Sequence, residues 1–127
     1  MACLPNSGPR RPPVIGRLAL LSCLGLLAAG CATSAALRAG QLAESQQDYD
    51  RAVIEYTKVV RANPDDRNAL ASLEQVKLRA AQSHFTKARR MASTGKLEEA
   101  LIEYQLALEL NPSNSTIEEE LRVTRED

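Results

Sequence analysis

The chain has 127 residues, 16 basic and 16 acidic side chains, 44% hydrophobic residues, no tryptophan and one phenylalanine. That is room for one small domain and excludes a stand-alone multidomain enzyme. The charge balance gives no basic footprint for nucleic acid, and the few aromatics give no base-stacking platform or large ligand pocket.

The composition is uneven along the chain. Arg10, Arg11, Arg17 and four of the six prolines fall between Met1 and Arg17, and no acid occurs before Glu44. Leu18 to Ala29 (LALLSCLGLLAA) is an unbroken apolar run. A comfortable span of a bilayer takes about 20 residues, so this shorter run has the length of a signal-peptide core instead. It leads into Leu27-Ala28-Ala29-Gly30-Cys31. Small residues before a cysteine resemble the bacterial lipobox, with Ala28 where leucine is commonest. The resemblance implies a lipoprotein signal peptide over 1–30 and a lipidated N-terminus at 31–32, with acyl chains on Cys31. Two or more such chains hold a protein stably at a membrane. Ala32, rather than Asp, after the cysteine implies the outer membrane of a bacterial envelope, facing the periplasm. The alternative is an ordinary cysteine just past a secretory cleavage site. Cys3 and Cys23 would leave with the signal, which fits an exported protein that avoids disulfides. Removing 1–30 takes away three arginines and no acid, so the remainder is mildly acidic.

The remainder repeats itself. Residues 49–64 (YDRAVIEYTKVVRANP) and 97–112 (LEEALIEYQLALELNP) align at an offset of 48, with Ala52/Ala100, Ile54/Ile102, Glu55/Glu103, Tyr56/Tyr104, Asn63/Asn111 and Pro64/Pro112 identical. Both segments carry apolar residues at helical spacing: Tyr49, Ala52, Val53, Tyr56, Val59, Val60 and Leu97, Ala100, Leu101, Tyr104, Ala107, Leu108. Asn-Pro closes each helix, because proline disfavours helical geometry in the residue before it. These residues resemble the tetratricopeptide repeat, a helix–turn–helix unit of about 34 residues. Ala88, Gly95, Leu97, Ala100, Tyr104, Ala107 and Pro112 place one unit at 81–114. Gly40, Ala52, Tyr56 and Pro64 place a weaker one at 33–66, with Gln47 in the place of the turn glycine. The resemblance implies an all-α solenoid of about two helical hairpins that presents surfaces to other proteins. Its packing residues would be Ala52, Tyr56, Ala88, Ala100, Tyr104 and Ala107.

The offset of 48 is longer than that unit, and the excess is the extension 67–80. No Gly or Pro occurs from Arg67 to Thr94, so one continuous helix is predicted over that stretch. The extension amounts to nearly four helical turns, which keeps the packing face close to phase. Ala69, Leu73, Val76, Ala80, His84, Ala88 and Met91 form that face, and Asp65-Asp66 are placed to cap its start. After Pro112, Ser115-Thr116-Ile117-Glu118 has capping-box form, and Ile117 and Leu121 stand where Ala69 and Leu73 stand one period earlier. The segment 115–127 then reads as a capping helix, or as the start of a further helix in a longer polypeptide. The acidic run Glu118–Glu120 suits a solvated helix start.

Catalytic constellations are scarce. His84 is the sole histidine and has no cysteine at metal-ligand spacing. Ser83 beside it points about 100° away on a helix. Glu98, Glu99 and Glu103 fall on the polar face of a surface helix, with nothing expected to desolvate them. No phosphate loop, Cys-x-x-Cys or nucleophile elbow occurs. The expectation is a non-enzyme without metal or cofactor. In the tetratricopeptide family the first helix of each pair lines the concave face, which implies partner contacts at Leu37 and Gln41 and at Phe85 and Arg89. The lipobox, the Cys-Ala-Thr-Ser start and the stretched repeats also resemble the N-terminal region of some bacterial secretins of type II secretion and type IV pili. The expected partners are therefore envelope proteins or peptides, with the membrane engaged through Cys31, no nucleic acid, and self-association by stacked end repeats as an option. A small adaptor or pilotin-like lipoprotein is the alternative to a secretin front end.

Overall fold

A computed structural model of the chain describes residues 32–126. The readings of residues 1–30 and of Cys31 lie outside them. Every regular element among the described residues is α-helical: α1 (residues 32–45), α2 (Tyr49–Ala62), α3 (Arg67–Ser93), α4 (Leu97–Leu110) and α5 (Ser115–Glu126).

The chain reverses the same way twice. At the end of α1, the Asp48 N–H donates to the Ala43 carbonyl (2.9 Å), and at the end of α3 the Lys96 N–H donates to that of Met91 (3.0 Å). Both closures need a left-handed residue: Gln47 at φ 61° and Gly95 at φ 77°. The starts of α3 and α5 also correspond. The Asp66 carboxylate accepts from the N–H groups of Asn68 and Ala69 (3.0 and 3.1 Å). One period later, the Asn114 amide oxygen accepts from those of Thr116 and Ile117 (3.1 and 3.3 Å). The cap of α5 is thus Asn114, one residue before the predicted Ser115, because the chain leaves Asn111-Pro112 by the path it takes out of Asn63-Pro64.

Between these signals α3 runs for 27 residues, about 40 Å, with Thr94 as its C-cap. It is the spine on which two hydrophobic cores are built. The first joins Ala43, Ala52, Tyr56, Leu73 and Val76. The second joins Ala88, Ala100, Tyr104, Ala107, Ile117 and Leu121, flanked by Phe85, Leu101 and Leu108. Ala80 and Ala81, both buried, lie between them along the spine. Small residues dominate wherever helices approach closely. Gly40 is the extreme case: a Cβ there would stand 2.9 Å from the Tyr56 ring.

The third segment follows the second in register. Ile117, Leu121 and Thr124 are buried as Ala69, Leu73 and Val76 are one period earlier. Thr124 returns its hydroxyl to the Glu120 carbonyl (2.8 Å) and so buries no unpaired donor. α5 packs against α4 and adds Ile117 and Leu121 to the second core.

Candidate functional site

The six alanines and tyrosines at the repeat positions Ala52, Tyr56, Ala88, Ala100, Tyr104 and Ala107 are buried. The two tyrosines reach different acids. The Tyr56 hydroxyl donates to Glu44 on α1 (3.0 Å), and the Tyr104 hydroxyl to Glu120 on α5 (2.8 Å). Burial first, then these hydrogen bonds to carboxylates, push each phenol up to about 12. Glu120 is therefore half-buried and engaged, unlike the solvated acid expected of residues 118–120.

Of the residues expected on the concave face, Leu37 and Gln41 are exposed on α1. Phe85 is half-buried on α3, its ring tilted by 57° against that of Tyr104 at 5.9 Å between centroids. The Arg89 guanidinium carbon lies over the Phe85 ring, 5.8 Å from its centroid, and Arg89 approaches Glu120 at 3.7 Å. Phe85 thus packs against the second core, and what α3 offers solvent there is the Arg89 guanidinium over its ring.

The sequence expectation is overturned at Glu103. It is 8% exposed, not solvated, and lies against α3. His84 Nδ1 meets one of its oxygens at 2.7 Å and Lys87 Nζ meets the other at 2.6 Å. His84 Nε2 in turn meets Asp50, at the start of α2, at 3.0 Å. A neutral imidazole has one N–H, so two ionised carboxylates on its two nitrogens require the imidazolium. Burial works against that charge, but the hydrogen bonds to Glu103 and Asp50 outweigh it and raise the His84 pKa above the usual 6.5. For Glu103 burial likewise opposes ionisation, and the bonds from His84 and Lys87 outweigh it and lower its pKa. The cluster ties α2, α3 and α4 together where the two cores meet. Sequence reasoning missed it because its partners are 19 and 34 residues apart.

A second feature went unread in the sequence, a shallow cavity of about 520 Å³ along α3. Arg79, Ser83, Lys87 and Arg90 line it, with Tyr49 from the start of α2 at its edge. The available signal was spacing. The row Leu73, Val76, Ala80 that packs inward continues at steps of three and four as Ser83, Lys87 and Arg90, where apolar residues give way to polar ones. No group of three His, Cys, Asp or Glu side chains among the described residues is arranged to hold a metal ion.

A sequence model described as tetratricopeptide repeat matches residues 33–66 and again 81–114. No curated protein matches the chain.

Proposed function

The chain belongs to the tetratricopeptide-repeat family, and from that premise we propose that it is a lipid-anchored scaffold of the bacterial envelope that gathers partner proteins at the outer membrane. The family's fold is a non-catalytic scaffold for protein–protein interaction, and the chain is a scaffold rather than an enzyme. The organisation we propose is a signal peptide over 1–30, an acylated Cys31, repeats at 33–66 and 81–114 joined by the extension 67–80, and a helix over 115–127. Among the described residues no helix is long and apolar enough to cross a membrane.

The observation that carries the anchor is the junction Leu27-Ala28-Ala29-Gly30-Cys31 at the end of an apolar run. Intact-mass spectrometry of protein extracted from envelopes should find a chain beginning at Cys31 with its acyl groups. Cys31→Ser should leave the membrane fraction without detergent. An unmodified N-terminus at another position would reject the anchor.

The repeats and the stretched spine support a place in the N-terminal arm of a secretin, where a lipid-held scaffold would collect assembly partners. A second reading, an adaptor or pilotin-like lipoprotein that brings a client to the outer membrane, draws on α5, which covers the second core with Ile117 and Leu121. An immunoblot of envelopes with antibody against residues 66–112 separates them. A band near the mass of residues 31–127 favours the adaptor, and a much larger one favours the secretin arm.

A further inference from the structure

Hairpin one, formed by α1 and α2, ends partway along the spine. Its α1–α2 turn lies beside the middle of α3, where Glu44 reaches Arg79 (2.8 Å) and Asp50 reaches His84 (3.0 Å). In the first core this side of α3 is covered, through Leu73 and Val76. Past the turn the side that carries Ser83, Lys87 and Arg90 emerges uncovered for about two turns, while the adjoining side of α3 continues into the second core through Phe85 and Ala88. The extension 67–80 thus leaves a ledge on which no helix among the described residues lies.

The ledge is not an apolar surface awaiting another hairpin. Arg79, Lys87 and Arg90 supply three cations, Gln82, Ser83 and Thr86 supply polar groups, and among the described residues no carboxylate lines the cavity. The nearest acids stand behind it or to one side. Glu44 and Glu103, with side chains 25% and 10% exposed, hold Arg79 and Lys87 from the protein side. Asp50 holds His84. Arg79 and Lys87 remain 45% and 46% exposed, and Arg90 has no ion-pair partner among the described residues. A guanidinium presents five donors in a fork that suits carboxylates, so Arg79 keeps several after binding Glu44.

We propose that this ledge docks an acidic, extended segment of a partner protein, with Arg79 at one end and Lys87 and Arg90 at the other receiving its carboxylates and Tyr49 flanking its backbone. Arg79 and Lys87 are eight residues apart on α3, about 12 Å. Carboxylates four residues apart on an extended chain are about 13 Å apart, which sets the spacing the ledge reads. The inference names a partner class for the scaffold and does not depend on the lipid anchor.

The test uses the full-length chain in nonionic detergent and a fluorescein-labelled peptide carrying glutamates four residues apart. Its glutamine counterpart is the control, and fluorescence anisotropy is the readout. The glutamate peptide should bind and the glutamine peptide should not, and added salt should weaken the binding. Arg90→Glu should weaken it about tenfold or more. Arg61→Glu, the same charge change on an exposed part of α2, should leave it unaltered, and circular dichroism should show both variants folded. Failure of the glutamate peptide to bind at millimolar concentration, or equal binding by Arg90→Glu, would overturn the proposal. So would displacement of the peptide by mixed micelles of phosphatidylglycerol with the same Arg90 dependence, which would make the ledge a lipid-headgroup site. None of these outcomes bears on whether Cys31 is acylated, so the anchor stands or falls separately.

Discussion

At Gln47 the chain takes a left-handed turn, φ 61°, that its counterpart Gly95 makes at φ 77°. A side chain in that region crowds its own backbone, a cost of about 1 kcal/mol that glycine avoids. Relief of that cost by Gln47→Gly is partly offset by about 0.4–1 kcal/mol of added freedom in the unfolded chain, so stability in urea denaturation should rise by only about 0–0.5 kcal/mol. Gly95→Ala should lower the unfolding free energy by about 1 kcal/mol; a Cβ there meets nothing within 4 Å, so the loss is in the backbone alone. His84 gives a second prediction at this scale. Its folded pKa is raised, so its contribution is complete below about 6.5 and fades as pH climbs through the raised value. The Glu103 pKa is lowered, so its contribution is present above about 4.5 and fades as pH falls through the lowered value. The cluster of Asp50, His84, Lys87 and Glu103 thus stabilises most between those limits. Melting temperature measured from pH 5 to 9 should decline on the alkaline side, reflecting a loss of stability of order 1 kcal/mol. In His84→Gln that decline should flatten, and a parallel decline in the variant would assign it to other groups.

Helix by helix, what was legible in the sequence is what neighbouring residues decide. The inward rows of α2, α3 and α4 follow from spacing, and the reach of α3 follows from Asp66, Thr94 and the lack of glycine or proline between them. The cap of α5 was misplaced by one residue because Asn114 and Ser115 are both capable caps, and only the turn after Pro112 chooses. Burial of Glu103 was not legible, since the groups that enclose it belong to α3 and meet it only after α3 and α4 pack. The ledge was hidden for the same reason, as nothing local says where hairpin one stops covering its spine. The phase of α3 carries a prediction of its own. One alanine inserted after Gln82 turns the second half of α3 by about 100° and should misalign one core, costing several kcal/mol. Seven helix-forming residues inserted there return the phase to within about 20°. They should retain both cores while separating His84 from Asp50. Equal damage from both insertions, measured by chemical denaturation, would mean that separation rather than phase is what matters. Ala100→Glu, at a position with no exposure in the second core, should cost several kcal/mol through a buried unpaired carboxylate. An unchanged melting curve would refute the close α3–α4 packing.

Across the whole molecule, two cores share one helix, and the stability of each should be separable in proportion to what it buries. The second core holds Tyr104, Ile117 and Leu121 with Phe85, Leu101 and Leu108 around it. The first holds Tyr56, Leu73 and Val76 among alanines, and is the smaller. In a short solenoid each unit is supported mainly by its neighbour, so the weaker unit opens first and the spine beneath it frays with it. Native-state hydrogen exchange should accordingly find the amides of α2 opening more readily than those of α4. Leu73→Ala removes a side chain that is 7% exposed and should cost the first core about 2–4 kcal/mol. Exchange should then accelerate in α1, α2 and the first half of α3, while α4 and residues 85–93 stay protected. Adding His84→Gln should widen that difference, because the imidazole is the tie from α2 through α3 to α4. Uniform acceleration from Leu73→Ala alone would show a single cooperative unit. A rigid ledge beside the α1–α2 turn would then depend on both cores, and a partner held there would stabilise the entire chain instead of hairpin one alone.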